Sequence, residues 1–200
     1  ACCELVYELI VMLCKKVPDK ALIPLYTGLS TDTGNFKFSN VTANTFTVAA
    51  ALVEAGVDLR AITRRLYDTT KLSKLKFNGA VAEKIQLFFN GRISVLECYD
   101  SFLAEFGLLP EDVEELPNTL LNIEGVDVSI LIKSRENGGL KISLRCKENI
   151  DMAELAASFG GGGHACAAGF VTDETAEAIT KKLVDSIAKQ LEAFDAHARD

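Results

Sequence analysis

The stretch SFGGGGHACAAGF, residues 158–170, decides how the second half of the chain folds. Four consecutive glycines, residues 160–163, cost backbone entropy, so an ordered domain keeps them only where side chains cannot be accommodated. The run predicts a backbone that turns through positive φ and admits a ligand or another backbone. Its amides could form a concave nest for an anion, and His164 can both donate and accept a hydrogen bond. A flexible linker is the alternative, but Phe159 and Phe170 flank the run without the Ser, Pro and Gln richness of linkers.

Two segments before the glycine run alternate apolar and polar residues. Residues 126–132 and 140–146 each show this period of two, which predicts two half-buried strands. The sequence Asn137-Gly138-Gly139 lies between them and predicts a hairpin turn. The two strands are therefore expected to pair antiparallel, with one apolar face and one polar face.

The register of this hairpin determines which polar side chains share a face. A three-residue loop pairs Arg135 with Lys141 and Lys133 with Ser143, and each face then has a single character. The polar face carries five residues: Lys133, Arg135, Lys141, Ser143 and Arg145. Such a face can simply be solvated, but the neighbouring glycine run favours an anion site. A guanidinium holds a phosphate through two parallel hydrogen bonds, so Arg145 is the preferred ligand.

The first third of the chain holds a different candidate residue. Residues 21–26 are apolar on both faces and predict a short buried strand. The polar segment 27–36 predicts a loop at the carboxyl end of that strand, where ligands bind in open α/β sheets. Asp32 in this segment is therefore a candidate metal ligand or phosphate-site carboxylate. The alternative is a turn aspartate that accepts backbone N–H bonds.

A helical segment separates these two parts of the chain. Apolar residues from about Leu72 to Phe89 follow a helical period, and Asn90-Gly91 closes the segment. Strand patterns follow it, and an apolar stripe from Ala176 to Phe194 predicts a long final helix that packs on the core. The patterns therefore indicate an α/β protein with a helical connector between two domains.

Composition narrows the class of protein. The net charge of −7 disfavours binding to long duplex nucleic acid, which needs basic stripes. No apolar run approaches the roughly 20 residues of a membrane span. Six cysteines without a C-x-x-C pair disfavour a zinc site and favour reduced thiols in a cytoplasmic protein. The first residue is alanine, at the start of a helical stripe, which predicts a fragment of a longer protein.

Two motifs in this order resemble one family. The four glycines and His164, preceded by the segment Ile-Ser-Leu-Arg at 142–145, resemble the DHH-associated domain of the DHH phosphoesterases. Residues 27–36 are similar to the last metal-binding motif of the DHH domain in that family. The resemblance covers essentially the whole chain. It is to the short, two-domain type, which degrades short oligonucleotides and dephosphorylates 3′-phosphoadenosine 5′-phosphate, with relatives that hydrolyse cyclic dinucleotides.

The resemblance implies a fold class and a division into domains. Residues 1–70 would be the C-terminal part of a parallel-sheet DHH domain. Residues 71–91 would be a helical connector. Residues 92–200 would be an α/β DHH-associated, substrate-binding domain with a mixed sheet.

The resemblance also implies two-metal hydrolysis of a phosphoester, typically with Mn²⁺. Asp32 would be the catalytic metal ligand that this chain supplies. The substrate would be a short oligonucleotide or a small phosphorylated nucleotide. Its binding residues would be Arg145, Ser143, Gly161, Gly162, Gly163, His164 and Arg135. The family's earlier metal motifs, including the Asp-His-His triplet, do not occur in these residues, so this chain alone is expected to be inactive.

Two further interpretations stay open from the sequence. The chain could be a non-catalytic nucleotide- or RNA-binding module that uses only the glycine run and the basic face. The same domain also occurs in alanyl-tRNA synthetases, where it serves RNA binding and assembly, although the Asp32 motif disfavours that use. The sequence is compatible with a homodimer, and it does not choose among oligonucleotide, phosphoadenosine phosphate and cyclic dinucleotide.

Overall fold

A computed structural model describes residues 1–135, 138–147 and 150–197. The chain divides into two units, Ala1–Thr70 and Lys71–Asp200. Each unit has its own buried apolar core. No helix in the described part of the chain is long and apolar enough to cross a membrane.

The first unit is helical. Its helices are α1 (Cys2–Cys14), α2 (Asp19–Asp32), α3 (Ala43–Glu54) and α4 (Leu59–Leu66). Leu29 of α2 and Leu52 of α3 are fully buried in its core. Asp58 caps α4, because its carboxylate accepts a hydrogen bond from the Ala61 amide at 3.0 Å.

The predicted strand at residues 21–26 is wrong, because this segment lies within helix α2. Its buried residues Leu22, Leu25 and Leu29 follow the i, i+3, i+7 spacing of one helix face. A short apolar run does not by itself distinguish a buried strand from a buried helix. The helix also replaces the first part of the predicted polar loop, so Asp32 is the last residue of α2.

The second unit is a six-stranded mixed sheet with helices packed on it, which confirms the α/β fold class. The strands are β1 (Gln86–Phe88), β2 (Ile93–Glu97), β3 (Val128–Ser134), β4 (Leu140–Cys146), β5 (Gly162–His164) and β6 (Ala167–Thr172). The helices are α5 (Leu72–Lys84), α6 (Asp100–Ala104), α7 (Leu116–Leu121), α8 (Met152–Ala157) and α9 (Ala176–His197). A 3₁₀ helix, Pro110–Val113, precedes α7.

The strands lie in the order β1-β2-β3-β4-β6-β5. Strands β2 and β3 are parallel, and the other neighbours are antiparallel. One face carries a core that includes Ile142 of β4 and Leu183 of α9. The opposite face of β2 and β3 carries a second core, which includes Leu131 of β3 and Phe77 of α5. Strands β2 and β3 are therefore buried on both faces, so the prediction of a half-buried strand is confirmed for β4 and is wrong for β3, where Ser129 and Leu131 are fully buried.

The predicted helix from about Leu72 to Phe89 ends at Lys84. The backbone is already extended at Ile85, with φ −64° and ψ 128°. Gln86–Phe88 then pairs with β2, and Phe89 and Asn90 adopt positive φ in the connection. The second part of the predicted connector is therefore a strand of the sheet.

The predicted register of β3 and β4 is displaced by two residues. Lys133 lies opposite Lys141, and Leu131 lies opposite Ser143. The connection is longer than three residues, and Glu136 and Asn137, which belong to the predicted turn region, lie outside the described residues. A displacement of two keeps every side chain on its original face, so the predicted basic face is retained.

Candidate functional site

The sheet face opposite α8 and α9 is accessible to solvent over strands β4, β6 and β5. On this face Lys141, Val171 and His164 are exposed, and Arg145 is half-buried. The other face of the same strands is buried, as Ile142 shows. On this side of the sheet, the second core covers β2 and β3, and the surface over β4, β6 and β5 is accessible to solvent.

Strand pairing places Arg145 and His164 in one row of side chains. Arg145 of β4 lies opposite Ala167 of β6, and Ala167 lies opposite His164 of β5. Residues directly opposite each other in a sheet share a face. Two strand spacings separate the ends of the row, so the two backbones are about 10 Å apart. Only the small side chain of Ala167 lies between them in this row.

The neighbouring row contains Ser143, Gly169 and Gly162. Strand β6 thus contributes an alanine and a glycine to the middle of the two rows. A Cβ atom on Gly169 would lie 2.6 Å from the carbonyl oxygen of Ile142, so this glycine is required by the packing. The result is a shallow trough between β4 and β5, with a hydroxyl on one wall.

The guanidinium of Arg145 has few partners within the protein. Its Nη1 donates to the carbonyl oxygen of Leu144 at 2.9 Å, and it makes no ion pair with the described residues. Arg92 provides a contrast, because it binds both Asp127 and Asp195 at 2.6 Å. Arg145 therefore retains the planar set of donors that a phosphate accepts.

A pocket of about 690 Å³ lies along β3 and β4 and shares Ser143 and Arg145 with this trough, whereas His164 and the small residues of β6 and β5 do not line it. Its cationic lining residues are Lys133, Arg135, Lys141 and Arg145. Lys133 and Lys141 lie directly opposite each other, an arrangement that destabilises a sheet unless an anion lies nearby. The opposite rim is acidic, with Asp100, Glu111 and Glu114 among its residues.

The first two glycines of the run end helix α8. Gly160 adopts a φ of 79°, and its amide donates to Ala157 O at 3.0 Å. The Gly161 amide donates to Ala156 O at 2.9 Å, which completes a Schellman cap. The run is therefore part of ordered structure rather than a linker, and the Gly161 amide already has a partner.

The remaining glycines form edge strand β5. A Cβ on Gly161 would lie 2.2 Å from Gly169 O, and one on Gly163 would lie 2.5 Å from Ala167 O. A Cβ on Gly162 would meet no atom within 4 Å. The sequence predicted that a ligand or another backbone lies close to the glycine run, and this neighbour is the backbone of strand β6. Gly162 leaves the accessible face of the sheet open. Alternate amides of an edge strand point away from its partner strand.

His164 ends strand β5 on the accessible face. Its imidazole is exposed, and it makes no side-chain hydrogen bond to the described residues. A two-residue turn, Ala165 and Cys166, follows it, and Ala165 O accepts a hydrogen bond from the Met152 amide at 2.8 Å. The turn is therefore anchored to α8, and the imidazole has both nitrogens available to a ligand.

Asp32 lies at the carboxyl end of α2 and is exposed. Its backbone oxygen accepts a hydrogen bond from Asn40 at 3.0 Å, but its carboxylate accepts none from the described residues. A carboxylate in the last turn of a helix is unfavourable, because the helix dipole is negative there. The turn-aspartate alternative, which needs backbone N–H donors on the carboxylate, therefore has no support in this geometry.

The described residues contain no cluster of three or more His, Cys, Asp or Glu side chains that could hold a metal ion. A two-metal site needs several carboxylate and imidazole ligands, and Asp32 is the single candidate that the sequence offered. The residues present in this part of the chain therefore do not fit an Mn²⁺ pair by themselves.

Two parts of the site were not predicted from the sequence. The small residues Ala167 and Gly169 form the floor of the trough. The run of small residues after His164 is the sequence feature that could have indicated them. The acidic rim, with Glu111 and Glu114, comes from a segment that carries no motif. Only the three-dimensional fold places that segment beside β4.

Comparison with known proteins identifies the family. The DHHA1 domain matches residues 91–194, which is more than half of the chain. The chain therefore belongs to the family of proteins that carry a DHHA1 domain, and the resemblance to the DHH phosphoesterases with their associated domain is confirmed.

Two bacterial proteins of the same name are similar to most of this chain. The bifunctional oligoribonuclease and PAP phosphatase NrnA of Thermus thermophilus is 32% identical over 169 residues, covering 84% of this chain and 50% of that protein. The protein of the same name from Bacillus subtilis is 32% identical over 154 residues, covering 77% of this chain and 48% of that protein. The chain thus spans about half the length of these relatives.

A solved structure is also similar over nearly the whole chain. It is an exopolyphosphatase-related protein from Bacteroides fragilis, with a TM-score of 0.81 and 27% identity. The match covers 99% of this chain and 58% of that chain. Both units of the present chain therefore have counterparts in one longer protein.

Proposed function

We propose that this chain provides the substrate-binding part of a phosphoesterase that hydrolyses short oligonucleotides or a small phosphorylated nucleotide. The row that joins Arg145 to His164, with a guanidinium that lacks an ion-pair partner in the described structure, carries the proposal. The relatives named as oligoribonuclease and PAP phosphatase support the same substrate class. Cyclic and linear dinucleotides remain within this class.

Each residue of the site has a separate part in binding. Arg145 donates two parallel hydrogen bonds to a phosphate, and Ser143 donates a third from the next row. His164 donates to the phosphate or the base from the opposite wall. Gly162 keeps the trough open, and Gly163 allows β5 to lie close against β6. The Gly161 amide is hydrogen-bonded to α8 and is not available to a ligand. The part that Gly161 plays is therefore steric, because it has no side chain.

The length of the pocket supports a substrate with more than one phosphate. Lys141 is four residues from Arg145 along β4, which corresponds to about 13 Å. Two phosphates of one substrate can therefore contact the two positions separately. The opposed pair Lys133 and Lys141, with Arg135 beside it, provides a second cationic position. An oligonucleotide of several residues uses both positions, whereas a mononucleotide uses one.

Hydrolysis requires groups beyond this pocket. By the family resemblance, Asp32 would be a ligand to Mn²⁺, and the metal would supply Lewis-acid chemistry when bound. The exposed, unpartnered carboxylate of Asp32 supports that role. The described residues do not assemble the rest of such a centre, so a catalytic role of Asp32 requires further metal ligands.

A second candidate is a binding module without catalysis. The lack of a metal-ligand cluster in the described residues favours it for the 200-residue chain by itself. The two candidates share the Arg145 site and differ only in turnover.

The domain division of the proposal assigns residues 1–70 to the C-terminal part of a DHH domain and 92–200 to the DHH-associated domain. The separation of two units at Thr70 and the DHHA1 match from residue 91 support it. Residues 71–91 connect them, as α5 followed by β1. The homodimer and the cytoplasmic location stay predictions.

Calorimetric titration of the 200-residue chain tests the binding proposal. The titrants are a 5′-phosphorylated diribonucleotide and the same dinucleotide without its 5′-phosphate. Binding that depends on the added phosphate supports the proposal. Equal binding of both ligands, or no binding of either, contradicts it.

A further inference from the structure

Two cysteines lie beside the row of Arg145, Ala167 and His164. Cys146 follows Arg145 in the sequence, and Cys166 precedes Ala167. Arg145 with Ala167 is the last pair of the β4–β6 register, and the next residue beyond it on each side is a cysteine, Cys146 at the end of β4 and Cys166 in the turn before β6. The Cys146 amide donates to Cys166 O at 3.2 Å, which confirms that the two backbones remain adjacent. Directly opposed residues of an antiparallel pair have Cα atoms about 4.5–5.5 Å apart. This separation is within the range that a disulfide bridges.

The two thiols differ in accessibility. Cys146 is buried, with 4% of its surface exposed, and its Sγ donates to Ile150 O at 3.0 Å. Cys166 lies in the β5–β6 turn and is exposed. Burial raises the pKa of the Cys146 thiol to about 12, and the hydrogen-bonded Cys166 thiol adds to the shift. Cys166 is therefore the thiol that a reagent in solution can reach, and the adjacent Cys146 thiol is buried in the core.

We propose that Cys146 and Cys166 are a redox modification site, which a low-molecular-weight disulfide converts to an intramolecular disulfide. The Cys166 thiolate attacks the reagent, forms a mixed disulfide and releases one reagent thiol. The Cys146 thiol then loses its proton, attacks the Cys166 sulfur and releases the second reagent thiol. The two protein thiols lose two electrons and two protons in total, and the reagent disulfide becomes two thiols.

The disulfide lies next to the proposed nucleotide site, so the effect of oxidation on nucleotide binding rests on the proposed function. Cys146 lies on the core face of β4 and directly follows Arg145. A bridge joins the β5–β6 turn to β4 by a bond of fixed geometry on the core side, and the turn directly follows His164. The bridge also removes the thiol hydrogen bond to Ile150. The row from Arg145 to His164 is therefore displaced, and the oxidised chain binds a phosphorylated dinucleotide more weakly.

The experiment treats the chain with oxidised glutathione and then removes excess reagent. Intact mass and peptide mapping report whether the Cys146 and Cys166 peptides become linked. The expected result is one intramolecular disulfide that dithiothreitol reverses. Cys166→Ser forms no such link, whereas Cys14→Ser, which changes an exposed thiol of the first unit, forms it like the parent. No link between the two peptides, or an equal yield in Cys166→Ser, overturns the proposal.

A titration with the 5′-phosphorylated diribonucleotide then measures the effect on binding. The oxidised parent is expected to bind at least threefold more weakly than the reduced parent, and Cys166→Ser is expected to show no change on oxidation. A bridge that forms without a change in affinity overturns the regulatory role. Failure of the reduced chain to bind contradicts the proposed function instead, and the mass analysis still decides whether the modification site exists.

Discussion

Arg145 and His164 lie on the same face of the sheet, at the two ends of one row, with Ala167 between them. Nineteen positions separate them in the chain, and the antiparallel pairing of β4, β6 and β5 brings them together. Neither side chain has an ion-pair partner among the described residues. The pairing of the strands therefore creates a two-walled anion site from residues that are distant in sequence.

The 200-residue chain is predicted to hydrolyse no phosphoester in the presence of Mn²⁺. The described residues offer Asp32 without a cluster of further metal ligands. Product analysis after incubation with a dinucleotide measures the outcome. Turnover at about 1 per second or faster, within the range of ordinary enzymes, would show that this chain holds a complete catalytic centre.

Asp32→Asn is predicted to increase the stability of the chain slightly. The exposed carboxylate opposes the negative end of the α2 dipole, and its removal contributes about 0.3–1 kcal/mol. Urea denaturation measures the change. In any form of the protein that turns over substrate, the same variant abolishes turnover and leaves nucleotide binding unchanged. A marked loss of stability would show that the Asp32 carboxylate has a structural role, and an active variant would contradict its assignment as a metal ligand.

Gly162 and Gly163 are predicted to respond differently to substitution. Gly163→Ala loses stability, because its Cβ meets backbone atoms at 2.5 Å and its φ is 149°. Gly162→Val keeps a free energy of unfolding within about 1 kcal/mol of the parent, since its position is open and valine suits a strand. Gly162→Val nevertheless weakens dinucleotide binding by obstructing the trough. Unchanged binding in a folded Gly162→Val would place the ligand elsewhere.

The opposed lysines are predicted to contribute only to longer ligands. The double variant Lys133→Gln, Lys141→Gln weakens binding of a four-residue oligoribonucleotide about tenfold or more, because two charge-assisted contacts are lost. Binding of a nucleoside monophosphate changes less than twofold. Lys189→Gln, on the exposed side of α9, is the matched control. Equal weakening for both ligands would mean that the lysines act through general charge rather than as a distinct position.

Sequence patterns predicted the parts of the fold in which local periodicity is strong. The alternation in β4 predicted its polar face correctly, because a displacement of two residues does not change the face of a side chain. The corresponding face of β3 is buried at Ser129 and Leu131, because a second core packs on it, and only Lys133 at its end is partly exposed. The register itself depended on a turn whose length the motif Asn137-Gly138-Gly139 did not determine. The helix at 21–26 was missed because Leu22 and Leu25 fit a buried strand and a helix face equally well.

The candidate site was predicted only in part for a physical reason. Arg145, Ser143 and His164 could be found because a glycine run and an alternating strand carry local signals. The trough between them depends on which strand lies between β4 and β5, and no local pattern reports that order. The acidic rim depends in the same way on where the 3₁₀ helix packs.

The most direct test of the phosphate site is the affinity of Arg145→Ala for a 5′-phosphorylated diribonucleotide, measured by calorimetry on the 200-residue chain. A charge-assisted hydrogen bond contributes about 1.5–3 kcal/mol, so the variant is predicted to bind roughly ten- to a hundredfold more weakly. Arg145→Lys recovers part of the loss, because lysine lacks the planar set of donors, and Lys189→Ala binds like the parent. An Arg145→Ala variant that is folded and binds as tightly as the parent would contradict the assignment of this site.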